Sequence, residues 1–495
     1  MTNPTRLFLA LVGLSVAVSP SRAADAHASS APAPVEVKIN PAITHGTWEG
    51  WGTSLCWMGK VFGNRDDLAD FLFTTRTTTF GGKQVPGLGF NIVRYNAGAC
   101  SWNTLADGRR MIVSKIIKPY RQIEGFWLDP RSADPDSPSW NWNADANQRA
   151  MLLKARDRGA DRFELFSNSP LWWMCANDNP SGAAKATDDN LPDKNHSAFA
   201  TYLATLARVA KERWGVAFTS VAPFNEPMTK WWFADCKQEG CHFSHDAQKR
   251  FLPVLRAELD RQGLGLLPIT ASDETSFDDA LATWKSYPPE IKAVVARVNV
   301  HGYQYANGRR DELHRLVVEQ DRKQLWMSEY GKKDGGGLEL ARNFHRDMDR
   351  LHPTAWCYWQ PTDGGGWGLL DADLENARIR DVELNAYVLA QYSRHLRPGM
   401  VILDTGHAGT VAAYDASARK LVLATFNDGP ARSVRFDLSA FLVPDGAVAS
   451  TLTAPKAQAR YERQPDLRLS ARGFTVVLAA DSVQTFEVAN ITLAR

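Results

Sequence analysis

Strand and helix signals alternate over residues 49–395, and the alternation contains eight candidate strands. Short apolar or β-branched runs end near Ser54, Tyr95, Phe166, Phe224, Ala271, Val300, Met327 and Trp359. The clearest helical pattern precedes the fourth run. Phe199, Tyr202, Leu203, Leu206, Val209, Ala210 and Trp214 recur at i, i+3, i+4 and i+7 spacing, and Gly215 follows them as a stop. Repeated βα units bury one parallel sheet behind helices, and eight strands close that sheet on itself. The expected fold class is α/β, with a (β/α)8 barrel over 49–395. Side chains at the strand C-termini of such a barrel converge on one face from distant parts of the chain.

The flanks read differently. All 17 tryptophans fall between Trp48 and Trp367, so the last hundred-odd residues form a separate, tryptophan-free region. Within it, residues 410–414, 421–426, 434–438, 474–478 and 485–488 are short β-rich runs, with turn residues such as Asn427-Asp428-Gly429 between them. That pattern predicts an all-β sandwich over 396–495. Val35, Val37 and Ile39 alternate with polar neighbours, so 35–48 is expected to add an N-terminal strand to the same side domain.

At the N-terminus, Arg6 precedes an apolar stretch from Leu7 to Val18, then Pro20 and the small-x-small triplet Ser21-Arg22-Ala23. This predicts a signal peptide over 1–24 and export, secreted or periplasmic, because the stretch is too short for a spanning helix. Residues 25–34, rich in Ala, Ser and Pro, read as a flexible lead. A formal charge of +2 without a basic run excludes nucleic acid as the expected partner, and no later segment predicts membrane insertion of the mature chain. Six cysteines in an exported chain permit disulfides, with Cys236 and Cys241 as the expected pair. The run Cys236, Cys241, His242, His245 contains zinc-ligand residue types but matches no standard spacing. Cys56, Cys100, Cys175 and Cys357 are expected as buried thiols.

Two strand ends carry glutamates in turn contexts: Asn225-Glu226-Pro227 and Ser328-Glu329-Tyr330-Gly331. Glycosidic hydrolysis needs a proton donor for the leaving oxygen and a second carboxylate at the sugar carbon, so this pair is the candidate catalytic site. Arg94 offers a fork of donors and Tyr303 a hydroxyl to a carboxylate. Asn225 is placed to meet a sugar 2-hydroxyl. Asn96 and His301 also close strands. Trp51, Trp172, Trp173 and Trp359 offer flat faces to sugar C–H groups, with core packing as the competing reading for each. Asp273, Glu274, Asp363 and Asp371 are rival carboxylates, better suited to substrate contacts or loop hydrogen bonds.

These stretches resemble the family 30 glycoside hydrolases of clan A, and more narrowly their endo-β-1,6-galactanase branch. The resemblance rests on Gly50-Trp51-Gly52-Thr53-Ser54-Leu55, Asn91 to Gly98, Glu164 to Pro170, Ala222 to Pro227, Asn299 to Tyr303, Ser328 to Gly331 and Tyr358-Trp359-Gln360. It implies a barrel with a side β-sandwich from both termini, Glu226 as acid/base, Glu329 as nucleophile, and retention of configuration at a carboxyl separation of about 5 to 5.5 Å. The implied substrate is β-1,6-galactan of arabinogalactan side chains, cut in mid-chain, with no metal or organic cofactor and a monomeric enzyme. Aromatic platforms for the polymer are expected from Trp172, Trp173, Trp231 and Trp232. β-1,6-Glucan, xylan or a glucosylceramide-like glycolipid are alternative substrates. A non-catalytic carbohydrate-binding barrel is the competing class, disfavoured because both glutamates are present.

Overall fold

The computed structural model describes residues 33–443, 446–470 and 472–494. The expected signal peptide and almost all of the flexible lead lie outside these residues. Eight strands form a closed parallel barrel: β1 (Gly50–Ser54), β2 (Ile92–Asn96), β3 (Arg162–Phe166), β4 (Ser220–Ala222), β5 (Ile269–Glu274), β6 (Val295–His301), β7 (Gln324–Tyr330) and β8 (Ala355–Tyr358). They pair in chain order, and β8 returns to β1 through Trp356 opposite Trp51. The helix that the sequence marks most clearly is His196–Val209, continued by a wider turn to Trp214, and Gly215 ends it at φ 65°. β4 is shorter than the apolar run suggests, because Pro223 has no N–H to extend the ladder. Glu226 therefore lies in the following loop.

The inside of the barrel is layered. At its lower end Ile92, Trp326, Ala355 and Cys357 form a small apolar plug. Gly52 admits it, since a Cβ there would sit 2.6 Å from the Ile92 Cβ and 2.8 Å from the Cys357 sulfur. Above the plug the filling is polar. The β2–β3–β4 register sets Arg94 beside Glu164 and Glu164 beside Ser220. Side chains of alternate residues share a face of the sheet, so all three enter the interior.

Two slips of register interrupt this alternation where it matters. Between β5 and β6, Asn299 faces Ser272 but Val300 faces Glu274, which leaves Asp273 as an extra residue at φ 62°. Between β6 and β7, Val300 faces Met327 but His301 faces Glu329. An extra residue in one strand re-aims the side chains that follow it. Asp273 and Ser328, and then Glu329, are thereby brought to the inside.

The side domain is a sandwich. One sheet runs Asn40–Thr47, Val401–Asp404, Thr410–Asp415, Lys420–Asn427, Ser482–Ala489, Gly446–Ala454, Ala459–Leu469; the other joins Val35–Lys38, Arg432–Asp437 and Gly473–Leu478. Both sheets thus take a strand from the N-terminal segment, with Val37 opposite Phe436 and Thr47 opposite Val401. The strands at 446–454 and 459–469 escape the sequence pattern because the latter is largely polar and exposed. The helix Leu384–Ser393 is buried on nearly every side. It bridges the two parts of the fold: Gln391 O accepts from Thr485 of the sandwich at 2.8 Å, while Tyr392 packs on Phe344 and Trp51 behind the barrel wall.

Trp51, expected to meet substrate, belongs to this seam. It is fully buried, its indole donates to Leu396 O at 2.8 Å, and its ring packs on Trp48 and Phe344. Its position in β1 points it away from the barrel interior, into the helical layer. Trp51→Ala should therefore lower unfolding free energy by about 3–5 kcal/mol, the usual cost of a large core truncation, measured by denaturant titration. A variant with unchanged stability and weakened polymer binding would instead return Trp51 to the cleft.

Candidate active site

A cavity of about 640 Å³ opens at the C-terminal mouth of the barrel, and Glu226 and Glu329 both line it. Each is nearly buried, at 7% and 4% exposure, so each offers little more than its carboxyl edge. A carboxylate oxygen of Glu226, one of Glu329 and a ring nitrogen of His301 lie within 4.8 Å of one another. Carboxyl groups about 5–5.5 Å apart suit attack by one of them on the sugar, whereas about 6.5–9.5 Å leaves room for a water. The pair falls on the short side.

His301 stands beneath both glutamates. Its Nδ1 is 3.1 Å from Glu226 and 3.4 Å from Glu329, and its Nε2 is 3.2 Å from Asp273. Burial works to lower the imidazole pKa, but the surrounding Glu329 and Asp273 carboxylates outweigh it and push it up to about 10. Arg94 lies deeper. It donates to Glu329 at 2.9 Å and Glu164 at 3.1 Å, and also to Asp273. Burial raises the Glu329 carboxyl above its ordinary range, while His301 and Arg94 pull against that rise. The Tyr303 hydroxyl donates to its other oxygen at 2.8 Å. Those donors are the partners of an ionised carboxylate.

Asp273 is buried, and its carboxyl is held well below the usual range because Arg94 and His301 overcome its desolvation. Its backbone oxygen accepts from Glu226 N at 2.8 Å, which fixes the Glu226 loop onto β5. Glu226 itself sits at φ 49°, a left-handed conformation costing a non-glycine residue about 1–2 kcal/mol. Trp232 and Thr229 each donate to the Glu226 carbonyl at 2.8 Å and hold that turn. Asn225 lines the cavity with a buried side-chain oxygen that meets no protein donor. A buried acceptor of this kind calls for a ligand hydroxyl or water.

Glu226, His301 and Glu329 are also the residues that could meet at a metal ion among those described. The raised pKa of His301 argues otherwise, since an imidazolium cannot ligate, and the Arg94 guanidinium already supplies positive charge there. The Cys236 to His245 run does not converge either. His242 Nδ1 pairs with Asp189 at 2.8 Å and His245 Nε2 with Thr283 at 3.0 Å.

The sequence profile of O-glycosyl hydrolase family 30 matches residues 34–283. Over 480 residues the chain is 46% identical to an endo-β-1,6-galactanase of Hypocrea rufa, covering 96% of this chain and 99% of that protein. The chain belongs to glycoside hydrolase family 30. A second relative, an exo-β-1,6-galactobiohydrolase of Bifidobacterium longum, is 23% identical over 66% of this chain but 27% of its own length. Among solved structures, xylanase C of family 30 from Talaromyces cellulolyticus superposes with a TM-score of 0.69 at 19% identity, over 92% of this chain and all of that one. An exported protein from Bacteroides fragilis gives 0.74 at 17% identity, over 91% of this chain and 100% of that one.

Of the site residues expected from sequence, Glu226, Glu329, Asn225, Tyr303 and Trp359 line the cavity of this family 30 fold. The other expected substrate contacts need correction. Arg94 and His301 face the carboxylates from below and are fully buried. Asn96 is fully buried and donates to Glu239 at 3.1 Å, a carboxyl that burial pushes up to about 7. Trp172 is core: its indole donates to Ser101 at 2.6 Å. Trp173 is similarly held, donating to Trp127 O at 2.9 Å. Among the rival carboxylates, Asp363 lines the cavity, while Glu274 is buried, accepts from Thr283 and is pushed up to about 8 by desolvation.

The expected Cys236–Cys241 bridge is absent, and all six cysteines, each within the described residues, carry free thiols. Cys236 lines the cavity, whereas Cys241 belongs to the core. Between them in sequence, Gly240 lies so close to the Trp232 ring that a Cβ would come within 2.0 Å of it.

Trp57, Phe233 and Trp367 also wall the cavity, although the sequence pattern does not single them out. Trp57 stands three residues past β1, and Trp367 follows a Gly-Gly-Gly run after β8, so a tryptophan soon after a strand end was the available signal. Glu164 and Arg297 each put a charge at an inward position of a strand, a placement that hydrophobic periodicity does not mark. They pair at 2.5 Å inside the barrel.

The charge on His301 gives the site a pH signature. A histidine whose pKa rises on folding, here from 6.5 to about 10, binds a proton more tightly in the folded state. The stability it contributes is complete below its unfolded pKa and declines as the pH climbs toward about 10. Denaturation midpoints measured from pH 6 to 10 should fall more steeply for the natural chain than for His301→Gln. Parallel curves would show that the imidazolium contributes nothing.

Proposed function

We propose that the protein is a retaining endo-β-1,6-galactanase, with Glu226 as acid/base and Glu329 as nucleophile. The observation that carries this reading is the short Glu226–Glu329 separation at the mouth of a barrel that is 46% identical, over nearly its whole length, to an endo-β-1,6-galactanase. Hydrogen bonding supports the division of roles. Glu329 accepts from the Arg94 guanidinium at 2.9 Å and the Tyr303 hydroxyl at 2.8 Å, partners that suit an attacking carboxylate.

In the first step Glu226 gives its proton to the glycosidic oxygen while a Glu329 oxygen bonds to the anomeric carbon and the C–O bond to the leaving sugar breaks. Tyr303 and Arg94 hold the attacking carboxylate in line. Glu226, now ionised, takes a proton from water, whose oxygen displaces Glu329 and restores the starting state. Asn225 offers its free oxygen to the 2-hydroxyl, a contact that tightens in the transition state. The apolar run Leu7–Val18 and the triplet that follows it support export. No helix among the described residues is long and apolar enough to cross a membrane.

Glu329→Gln should reduce turnover by roughly 10⁴-fold or more, on the scale of deleting a covalent nucleophile, and leave the far-ultraviolet circular dichroism unchanged. Azide added to Glu226→Ala should restore cleavage of an activated aryl glycoside. Near-normal turnover in Glu329→Gln would remove it from the role.

Product analysis tests stereochemistry and substrate together. Proton NMR of the first product should show the β-anomer before mutarotation, and debranched β-1,6-galactan should yield short oligosaccharides faster than β-1,6-glucan or xylan is cut. An initial α-anomer would mean inversion, and faster cleavage of glucan or xylan would overturn the sugar assignment.

A further inference from the structure

The loop that carries Glu226 continues into an apolar shelf. Trp231 and Phe233 line the cavity yet remain 43% and 41% exposed, and Ile116, 57% exposed, lines it beside them. Exposed rings of this size, contiguous with a polar cleft, mark a binding surface. The shelf is firmly built. Trp232, between the two exposed rings in sequence, is fully buried, and its indole donates to the Glu226 carbonyl at 2.8 Å. The Ser114 hydroxyl donates to Cys236 O at 2.6 Å, tying the loop of Ile116 to that of Phe233. Glu239, in the same loop, accepts from Asn96, Ala99, Cys100 and Ile123.

Other aromatic rings line the cavity from elsewhere. Trp57 and Trp359 meet edge-to-face at 5.3 Å beyond β1 and β8, and β8 is the neighbour of the Glu329 strand. The shelf itself is built on the loop of Glu226, whose carbonyl the Trp232 indole holds. A proton donor must stand beside the oxygen that leaves, and a nucleophile beneath the sugar that stays. We infer that Trp231, Phe233 and Ile116 bind the leaving-group side of the substrate, the neutral hexopyranose units on the reducing-end side of the scissile bond, through their C–H faces. This rests on the reading of Glu226 as acid/base and adds the direction in which the chain crosses the cleft.

The partition of the glycosyl-enzyme tests it. When that intermediate forms from an aryl β-glycoside, a disaccharide acceptor seated on the leaving-group side competes with water. Its hydroxyl oxygen bonds to the anomeric carbon, the bond to Glu329 breaks, and the hydroxyl proton passes to Glu226. Donor and acceptor are matched to whichever of aryl β-galactoside, β-glucoside and β-xyloside the natural chain turns over, so an error in sugar identity shows before any substitution is made. With aryl β-galactoside and β-1,6-galactobiose, Trp231→Ala and Phe233→Ala should each lower the ratio of transfer to hydrolysis roughly ten-fold, equivalent to about 1.4 kcal/mol of acceptor binding. Trp231→Phe, which keeps a ring, should retain most of the ratio. A ratio within two-fold of the natural chain's in both alanine variants, or a fall confined to aryl release, would overturn the assignment.

Discussion

Arg94 is the group on which the rest of the site depends. Its guanidinium is fully buried, and an isolated charge there would cost far more than a domain's net stability. Glu164 from β3, Asp273 from β5 and Glu329 from β7 converge on it from β2, so the demand for compensation ties four strands together at one point. Removing one partner from such a cluster costs about 3–5 kcal/mol because the others are left uncompensated. The same demand fixes Glu329. A carboxylate bound by Arg94 below and Tyr303 beside it keeps both oxygens in one place before any ligand arrives, and prior alignment of a reacting group is a large part of what an enzyme contributes to rate.

Backbone irregularity delivers the side chains to that cluster. A regular strand sends neighbours to opposite faces, which would put either Ser328 or Glu329 outside the barrel. The slips of register at β5–β6 and β6–β7 relax the alternation at the C-terminal ends of those strands. The strain of the left-handed residues Asp273 and Glu226 is offset locally by hydrogen bonds, including the one from Glu226 N to Asp273 O. Farther away, the sandwich and the helix Leu384–Ser393 brace the barrel wall through Trp51 and Tyr392. The side domain thus supports the site without touching it.

Tryptophan serves two opposite purposes in this chain. Trp51, Trp172 and Trp232 are fully buried, each with its indole N–H on an internal acceptor, whereas Trp231 stands open at the cleft. Neighbouring positions, Trp231 and Trp232, take opposite roles because one side chain faces Gly240 and the other faces solvent. Residue type and spacing cannot separate these cases. The large apolar surface that suits a sugar face suits a core equally well.

The sequence by itself determined the barrel, its eight strands, the all-β tail and the N-terminal strand that joins it, because hydrophobic period is a local property and closure follows from the number of βα units. It also singled out Glu226 and Glu329, since a glutamate in a turn at a strand end is visible without knowing what lies across the barrel. Tertiary structure decided the rest. Whether Arg94 and His301 touch sugar or hold carboxylates, whether Asn96 and Trp172 line the cleft or lie behind it, and whether Cys236 meets Cys241 all depend on which face a side chain takes after a bulge or a loop. Those directions arise from contacts between residues far apart in sequence, such as Arg94 with Asp273 and Glu329, and only the closed barrel brings them within reach.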